Sequence, residues 1–131
     1  MPSRFTYSVL GHFATGGMAD LYSIILNDGQ RALLRELQAA KVFRISLHRR
    51  FRFGLKVREI LSPHDHIANS LEWGYSKLRP YELIEWVEGQ NLKSLFNARS
   101  TALTDQVMDI LFHAATALAW VHEHDLMHLD V

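Results

Sequence analysis

Cysteine is missing from the chain, and proline is scarce, with three residues among 131. The lack of Cys excludes a disulfide framework and any thiolate metal site. No apolar run approaches the roughly 20 residues that a membrane-spanning helix needs, and the N-terminus lacks the apolar segment of a signal peptide. These absences predict a cytoplasmic protein with no membrane partner.

An excess of charge of either sign is also missing, because 14 Lys and Arg balance 14 Asp and Glu. Electrostatics therefore give no reason to expect a nucleic-acid partner. The hydrophobic content of 48% and the charged content of 21% are typical of one folded domain with a single modest core.

Histidine, a residue type that can bind metal ions, recurs near the C-terminus at His122, His124 and His128, with Asp130 close by. On a helix, His122 and His124 point to different sides, which is a poor arrangement for one ion. We therefore interpret these residues as scattered surface histidines and predict no metal site.

Five short apolar or alternating runs predict strands at residues 7–13, 21–26, 31–37, 67–75 and 80–87. The Asp-Gly pair at 28–29 favours a tight turn between antiparallel strands. Residues 39–61 have a helical pattern. Gly54 can interrupt this helix, and the helix must end before Pro63, because proline cannot continue it. Five antiparallel strands with one packed helix predict an α+β lobe.

The remaining residues predict helices. Asn91 is a suitable N-cap for a short helix through residue 96, and Thr104 is a suitable N-cap for the last helix. That helix should end near Asp125, because Asp tolerates a left-handed backbone. Its apolar stripe would be exposed, which predicts self-association, and consists of Val107, Ile110, Leu111, Ala114, Leu118 and Val121.

The loop between the first two strands carries adjacent glycines, which by themselves usually mean only a turn. Residues 13–22, Phe-Ala-Thr-Gly-Gly-Met-Ala-Asp-Leu-Tyr, nevertheless resemble the glycine-rich loop of bacterial-type Ser/Thr protein kinases, Leu-Gly-x-Gly-Gly-Met-Gly-x-Val-Tyr. The resemblance implies an ATP site whose phosphates lie against Thr15, Gly16, Gly17 and Met18, with Leu21 as an apolar wall. Ala replaces Gly at positions 14 and 19, which adds methyl groups near those phosphates.

The third strand, Arg-Ala-Leu-Leu-Arg at 31–35, lies where the family has Val-Ala-Ile-Lys. By that resemblance, Ala32 packs on the adenine ring, and Arg35 replaces the Lys that pairs with the phosphates and with a helix Glu. The matching helix positions, residues 54–56, contain no acid, and Glu59 comes about one turn later. We therefore expect the usual ion pair to be missing.

Residues 79–92 resemble the kinase hinge, Pro-Tyr-Leu-Val-Met-Glu-Tyr-Val-Glu-Gly-Gly-Ser-Leu. The resemblance implies that Ile84 is the gatekeeper residue at the back of the adenine site. The backbone of Glu85 and Val87 would bind the adenine edge, with Val87 also an apolar wall, and Asn91 would lie near the ribose. Most of these contacts are made by the backbone.

Residues 127–130, Met-His-Leu-Asp, resemble the start of a kinase catalytic loop, with Leu129 in the place of the usual Arg. The resemblance makes Asp130 the residue that accepts the proton of the substrate hydroxyl. The family's ligands for Mg²⁺ would follow residue 131, so we expect the 131-residue chain alone to transfer no phosphate.

Two functional hypotheses remain open from the sequence. In the first, residues 1–87 are the small lobe and residues 88–131 are the hinge exit and the start of the helical lobe of a kinase that binds ATP and Mg²⁺ and phosphorylates a protein. In the second, the altered phosphate site makes the chain a pseudokinase-type scaffold that binds a regulatory protein partner.

Overall fold

The computed structural model describes residues 4–128, and in this part of the chain five strands form one antiparallel sheet. Its spatial order is β1-β2-β3-β5-β4. The predicted α+β fold with a five-stranded antiparallel sheet is therefore confirmed. The strands are β1 (Tyr7–Thr15), β2 (Ala19–Leu26), β3 (Arg31–Leu37), β4 (Ser70–Ser76) and β5 (Arg79–Glu85).

Two of the sheet's hairpins use left-handed turn residues. Gly29 has φ of 86° in the predicted Asp-Gly turn between β2 and β3. Between β4 and β5, Lys77 and Leu78 have φ of 47° and 69°. Two successive left-handed residues match the right-handed twist of the strands that they join, so this connection needs only two residues.

The sheet separates two apolar clusters, because successive side chains on a strand point to opposite faces. The first cluster, which we call the sheet core, consists of Ile24, Leu26, Ala32, Leu34, Tyr81 and Leu83. The second, which we call the helix-facing core, consists of Ala19, Leu37, Phe51 and Leu55. Phe51 and Leu55 are one helical turn apart, so they bury the inner face of α1 (Ile45–Leu61) against the sheet.

Helix α1 starts later than its sequence pattern predicts. A short 3₁₀ turn spans Ala39–Lys41. Phe43, the first apolar residue of the predicted helix, is 90% exposed, so it does not pack a helical turn against the sheet. The helix then passes through Gly54 without a break. It ends where predicted, just before Ser62 and Pro63.

Within residues 86–128, three helices follow the sheet: α2 (Leu92–Asn97), α3 (Thr101–Asp105) and α4 (Val107–Glu123). Asn91 caps α2 as predicted, since its side-chain oxygen accepts the Ser94 N–H at 2.8 Å. The prediction that Thr104 is an N-cap is wrong, because it lies inside α3, whose cap is Ser100. The left-handed Asp125 after α4 is confirmed, with φ of 56°.

Helix α4 contacts the end of α1. Trp120 Nε1 donates a hydrogen bond of 3.0 Å to the Leu61 carbonyl, and its ring stacks on His64 at 5.5 Å. Across residues 4–128, none of the helices combines the length and the apolar character needed to cross a membrane.

Candidate functional site

A cleft of about 430 Å³ lies where β1, β2, β3 and the end of β5 meet the segment that follows β5. Its walls include the apolar side chains of Phe13, Leu21, Leu33, Ile84 and Val87. The two basic residues Arg35 and Arg58 also line it. An apolar cavity with a few charged groups is the usual form of a site for a small organic ligand.

The aromatic ring of Trp86 forms part of the cleft wall and holds two neighbours. The Phe13 ring meets it edge-on at 5.5 Å, and the Arg31 guanidinium lies 4.0 Å from its centroid. Arg31 also contacts Glu88 at 3.7 Å. These contacts connect β1, β3 and the segment after β5, and neither Phe13 nor Trp86 was predicted as a site residue.

The predicted position of Ala32 in the cleft is wrong. Ala32 is fully buried in the sheet core, on the face of β3 opposite the cleft. Leu33, which shares a face with Arg35 because the two are separated by one residue, lines the cleft instead. Counting back two residues from Arg35 would have identified it.

The glycine-bearing turn is held by residues that follow β3. The Gly16 N–H donates to the Ala19 carbonyl at 2.8 Å, and the Gly16 carbonyl accepts from Gln38 Nε2 at 2.9 Å. Lys41 Nζ donates to the Gly17 carbonyl. The turn is therefore attached to the segment between β3 and α1.

The residues beside these glycines differ in where their side chains lie. Thr15 is exposed, and its hydroxyl donates to Asp20 Oδ1 at 3.1 Å. Met18 packs against the helix-facing core, and Ala19 belongs to it. The methyl group of Ala19 is thus buried under the sheet, contrary to the expectation that it would lie near a phosphate.

The inner end of the cleft contains a buried carboxylate between two arginines. Glu82 on β5 is 0% exposed. Its Oε2 lies 3.4 Å from Arg35 Nη1, and its Oε1 lies 2.9 Å from Arg58 Nε. The second contact is an ion pair rather than a hydrogen bond, since in residues 4–128 the buried atoms Arg58 Nε and Glu82 Oε1 have no hydrogen-bond partner. We call these three residues the charge triad.

The triad follows from local structure. The register of β3 and β5 places Arg35 directly opposite Glu82, and cross-strand partners share a face of the sheet. The Arg35 guanidinium also lies 4.6 Å from the centroid of the Phe51 ring. Burial lowers the pKa of Arg35, and the charge of Glu82 opposes that change. An arginine stays charged at neutral pH even so.

No carboxylate of α1 contacts Arg35 in the described part of the chain. A Cβ at Gly54 would lie 3.9 Å from Arg35 Nη1, so the helix passes this arginine at a residue without a side chain. Glu59 instead accepts a hydrogen bond of 3.3 Å from Trp73 Nε1. Arg35 instead contacts Glu82 on β5, a partner that was not predicted from the sequence. A Glu within the apolar run Tyr-Glu-Leu-Ile was the available signal.

The segment after β5 keeps its backbone near the cleft. The Glu85 side chain accepts from the backbone and side-chain N–H groups of Asn69, at 2.8 and 3.2 Å. Val87 is 66% exposed, and Gly89 has φ of 124°, a conformation that favours glycine. A hollow of about 550 Å³ extends from here to Asn91.

The C-terminal part of the site is only partly described. Asp130 and Leu129 lie outside the described residues. His128 lines a cavity of about 630 Å³ behind the charge triad, together with Ala117 and Leu118 of α4. Within residues 4–128, no three His, Asp or Glu residues are grouped so that they could hold a metal ion.

No family model matches the chain. The chain is similar to the probable serine/threonine-protein kinase PknB of Lactococcus lactis, with 26% identity over 133 residues that cover 95% of this chain. It spans only 20% of that protein's length.

Solved structures of the PknI kinase domain of Mycobacterium tuberculosis share the fold. One superposes with a TM-score of 0.73 and 23% identity, covering 98% of this chain and 53% of the solved chain. Another gives a TM-score of 0.74 and 24% identity, covering 97% and 52%. The chain therefore has the fold of about half of a bacterial-type Ser/Thr protein kinase domain, and the predicted kinase-like fold is confirmed.

Proposed function

We propose that the cleft binds ATP and that the chain is the nucleotide-binding part of a kinase-like protein. The observation that carries this proposal is the cleft itself, in which apolar walls from Leu21, Leu33 and Val87 lead to the cations Arg35 and Arg58. An adenine ring fits between apolar walls, and the phosphates of ATP need positive charge at the far end.

In this proposal, the contacts follow the kinase resemblance with one correction. Backbone groups of Glu85 and Val87 bind the adenine edge, Ile84 closes the back, and Leu33 replaces Ala32 as the wall on β3. Residues 15–18 cover the phosphates, and Asn91 lies near the ribose. Residues 1–87 then act as the small lobe, and residues 88–131 begin the helical lobe.

We further propose that the whole protein transfers phosphate to Ser or Thr of a protein substrate. Asp130 would accept the proton of the attacking hydroxyl. Mg²⁺ would neutralise phosphate charge in the reaction.

Calorimetric titration of the chain with adenosine and with ATP tests the nucleotide site. A Leu33→Trp substitution would fill the cleft from β3, so adenosine binding should fall at least about tenfold while the fold is kept. Val9→Trp is the matched control, because Val9 is 55% exposed on β1 and does not line the cleft. Equal affinities for the two variants, or no adenosine binding by the unmodified chain, would refute the proposal.

The second candidate function is a pseudokinase-type scaffold that binds a regulatory protein. The observation that favours it is Gly54, which leaves α1 without the carboxylate that a kinase helix presents to its strand cation. Radiolabelled phosphotransfer by the whole protein separates the two candidates. Incorporation that disappears in an Asp130→Asn variant supports the enzyme, and its absence supports the scaffold.

Helix α4 exposes large apolar side chains, whichever of the two functions holds. Met108, Leu111 and Phe112 are 73%, 58% and 67% exposed. We propose that this face drives self-association of the 131-residue chain. Light scattering should show a mass that rises with concentration, and a Leu111→Lys, Phe112→Lys double variant should remain monomeric. A monomer at all concentrations would exclude the association.

A further inference from the structure

One buried carboxylate holds two cations that belong to different elements of the fold. Glu82 lies on β5, Arg35 on β3 and Arg58 on α1. The Arg35 and Arg58 side chains keep 20% and 30% of their surface exposed, while that of Glu82 has none. Two guanidinium charges and one carboxylate charge leave the inner end of the cleft with one net positive charge.

Helix α1 passes the Arg35 guanidinium at Gly54, so no side chain lies between them. Arg35 extends toward α1 at that residue, where a Cβ would already lie 3.9 Å from its Nη1. Arg58 is four residues further along the helix and so lies on the same side, one turn away. It reaches the same carboxylate that faces Arg35 across the β3–β5 ladder.

We propose that Glu82 is a positioning residue that presents Arg35 and Arg58 together as the anchor for a polyphosphate, and that Arg58 contacts phosphate directly. Glu82 engages Arg58 through Nε, which leaves the terminal amino groups of Arg58 beyond that contact. Two guanidinium groups side by side suit neighbouring phosphate groups, because each can donate two parallel hydrogen bonds. The ligand class is a nucleoside triphosphate, so the inference rests on the proposed nucleotide function.

The net charge of this anchor differs from that of an ion pair between one cation on a strand and one carboxylate on a helix. That pair has no net charge, whereas the charge triad carries one net positive charge at the inner end of the cleft, where Arg35 and Arg58 line it. The triad should therefore bind free triphosphate without help from a divalent cation.

Titration of the 131-residue chain in EDTA with tripolyphosphate, ATP and adenosine tests the role of Arg58. Arg58→Gln should weaken binding of tripolyphosphate and ATP about tenfold or more and leave adenosine binding unchanged. Arg52→Gln is the matched control, because Arg52 is an exposed residue of the same helix that does not line the cleft. Equal losses in the two variants would overturn the role of Arg58.

Two outcomes separate this inference from the nucleotide proposal. If tripolyphosphate binding depends on Arg58 but adenosine does not bind, the anchor stands and the nucleotide proposal fails. If adenosine binds but tripolyphosphate does not, the anchor fails and the adenine pocket stands. Should Arg58→Gln prevent folding, as judged by circular dichroism, Arg58→Met replaces it, because it keeps the apolar stem and removes the charge. An unchanged affinity for tripolyphosphate would then reject the anchor.

The role of Glu82 is tested by removing its carboxylate and then adding a carboxylate on helix α1. Glu82→Leu should remove most of the preference for ATP over adenosine, because Arg35 and Arg58 lose their common partner. Adding Gly54→Glu places a carboxylate beside Arg35 and should restore part of that preference. Failure of the double variant to regain any preference, although it melts as cooperatively as the unmodified chain, would show that Glu82 does not position the cations.

Discussion

The two ends of the cleft are built from different kinds of chemical group. At the end formed by residues 84–89, apolar side chains and backbone face the cavity, and the charged side chain of Glu85 is held by Asn69. At the inner end, the charge triad brings together three ionised side chains from three elements. Only the second end depends on the identity of each side chain.

This difference explains why the sequence departs from the kinase pattern at one end and keeps it at the other. Backbone contacts tolerate many side chains, so the segment after β5 can vary without losing its shape. An ion pair tolerates only compensated changes, since a buried charge without a partner is costly. In this chain α1 presents Gly54 to Arg35, and the carboxylate beside Arg35 is Glu82 on the neighbouring strand.

The largest expected effect comes from breaking the inner end. Glu82→Gln keeps the shape of the side chain but leaves two partly buried guanidinium groups without a counter-charge. The free energy of unfolding should fall by about 3 to 5 kcal/mol, measured by urea denaturation. Glu88→Gln is the control, because its pair with Arg31 is 3.7 Å long and well exposed, so a change below about 0.5 kcal/mol is expected. Similar losses of unfolding free energy in the two variants would show that the buried charge triad stabilises the chain no more than an exposed ion pair.

The second-largest expected effect comes from truncating two neighbouring residues of β5 whose side chains lie on opposite faces of the sheet. Ile84→Ala and Leu83→Ala each remove a buried side chain and should each lower the free energy of unfolding by about 3 kcal/mol. Only Ile84→Ala enlarges the cleft, so only this variant should gain affinity for an adenosine with a bulky N6 substituent. A gain in Leu83→Ala as well would place the adenine elsewhere.

A smaller effect is expected where the cleft meets the helices. Asn91→Ala removes the cap of α2 and should cost about 1 kcal/mol. The Ser94 N–H donates a hydrogen bond of 2.8 Å to Asn91 Oδ1, so hydrogen exchange at this amide should become faster in the variant. Asn91→Asp keeps an acceptor and should protect that amide as before, and equal exchange in both variants would contradict the cap.

The smallest expected effect is a gain in stability. Gly54→Ala should raise the free energy of unfolding by about 0.5 to 1 kcal/mol, because glycine is unfavourable inside a helix and an added Cβ meets only Arg35 Nη1 at 3.9 Å. Gly74→Ala is the contrasting variant, since its Cβ would lie 3.1 Å from Tyr81 Oη. Thermal melting should move in opposite directions for the two. A loss in Gly54→Ala would mean that the helix needs this glycine for closer packing.

Local rules predicted much of the fold. Alternation and turn residues located the five strands, and the capping preference of Asn91 and the left-handed tolerance of Asp125 located two helix ends. They failed where several weak signals competed. Thr104 is a good N-cap by type, yet Ser100 starts an additional short helix before it.

The candidate site was harder to predict, because its contacts depend on register between distant segments. The family pattern was aligned one residue early at Ala32, whereas the alternation of side chains along β3 would have selected Leu33. The role of Glu82 depends on which residue of β3 lies opposite it, and no local pattern contains that information. The role of Arg58 could not be predicted for the same reason, since its partner Glu82 lies on a different element of the fold.

The hydrogen bond from Trp120 to the Leu61 carbonyl makes the end of α1 mechanically dependent on α4. Arg58 precedes that carbonyl by less than one helical turn, so this hydrogen bond attaches the turn of α1 that carries Arg58 to α4. One cation of the charge triad therefore belongs to a helical turn that is anchored from outside the sheet.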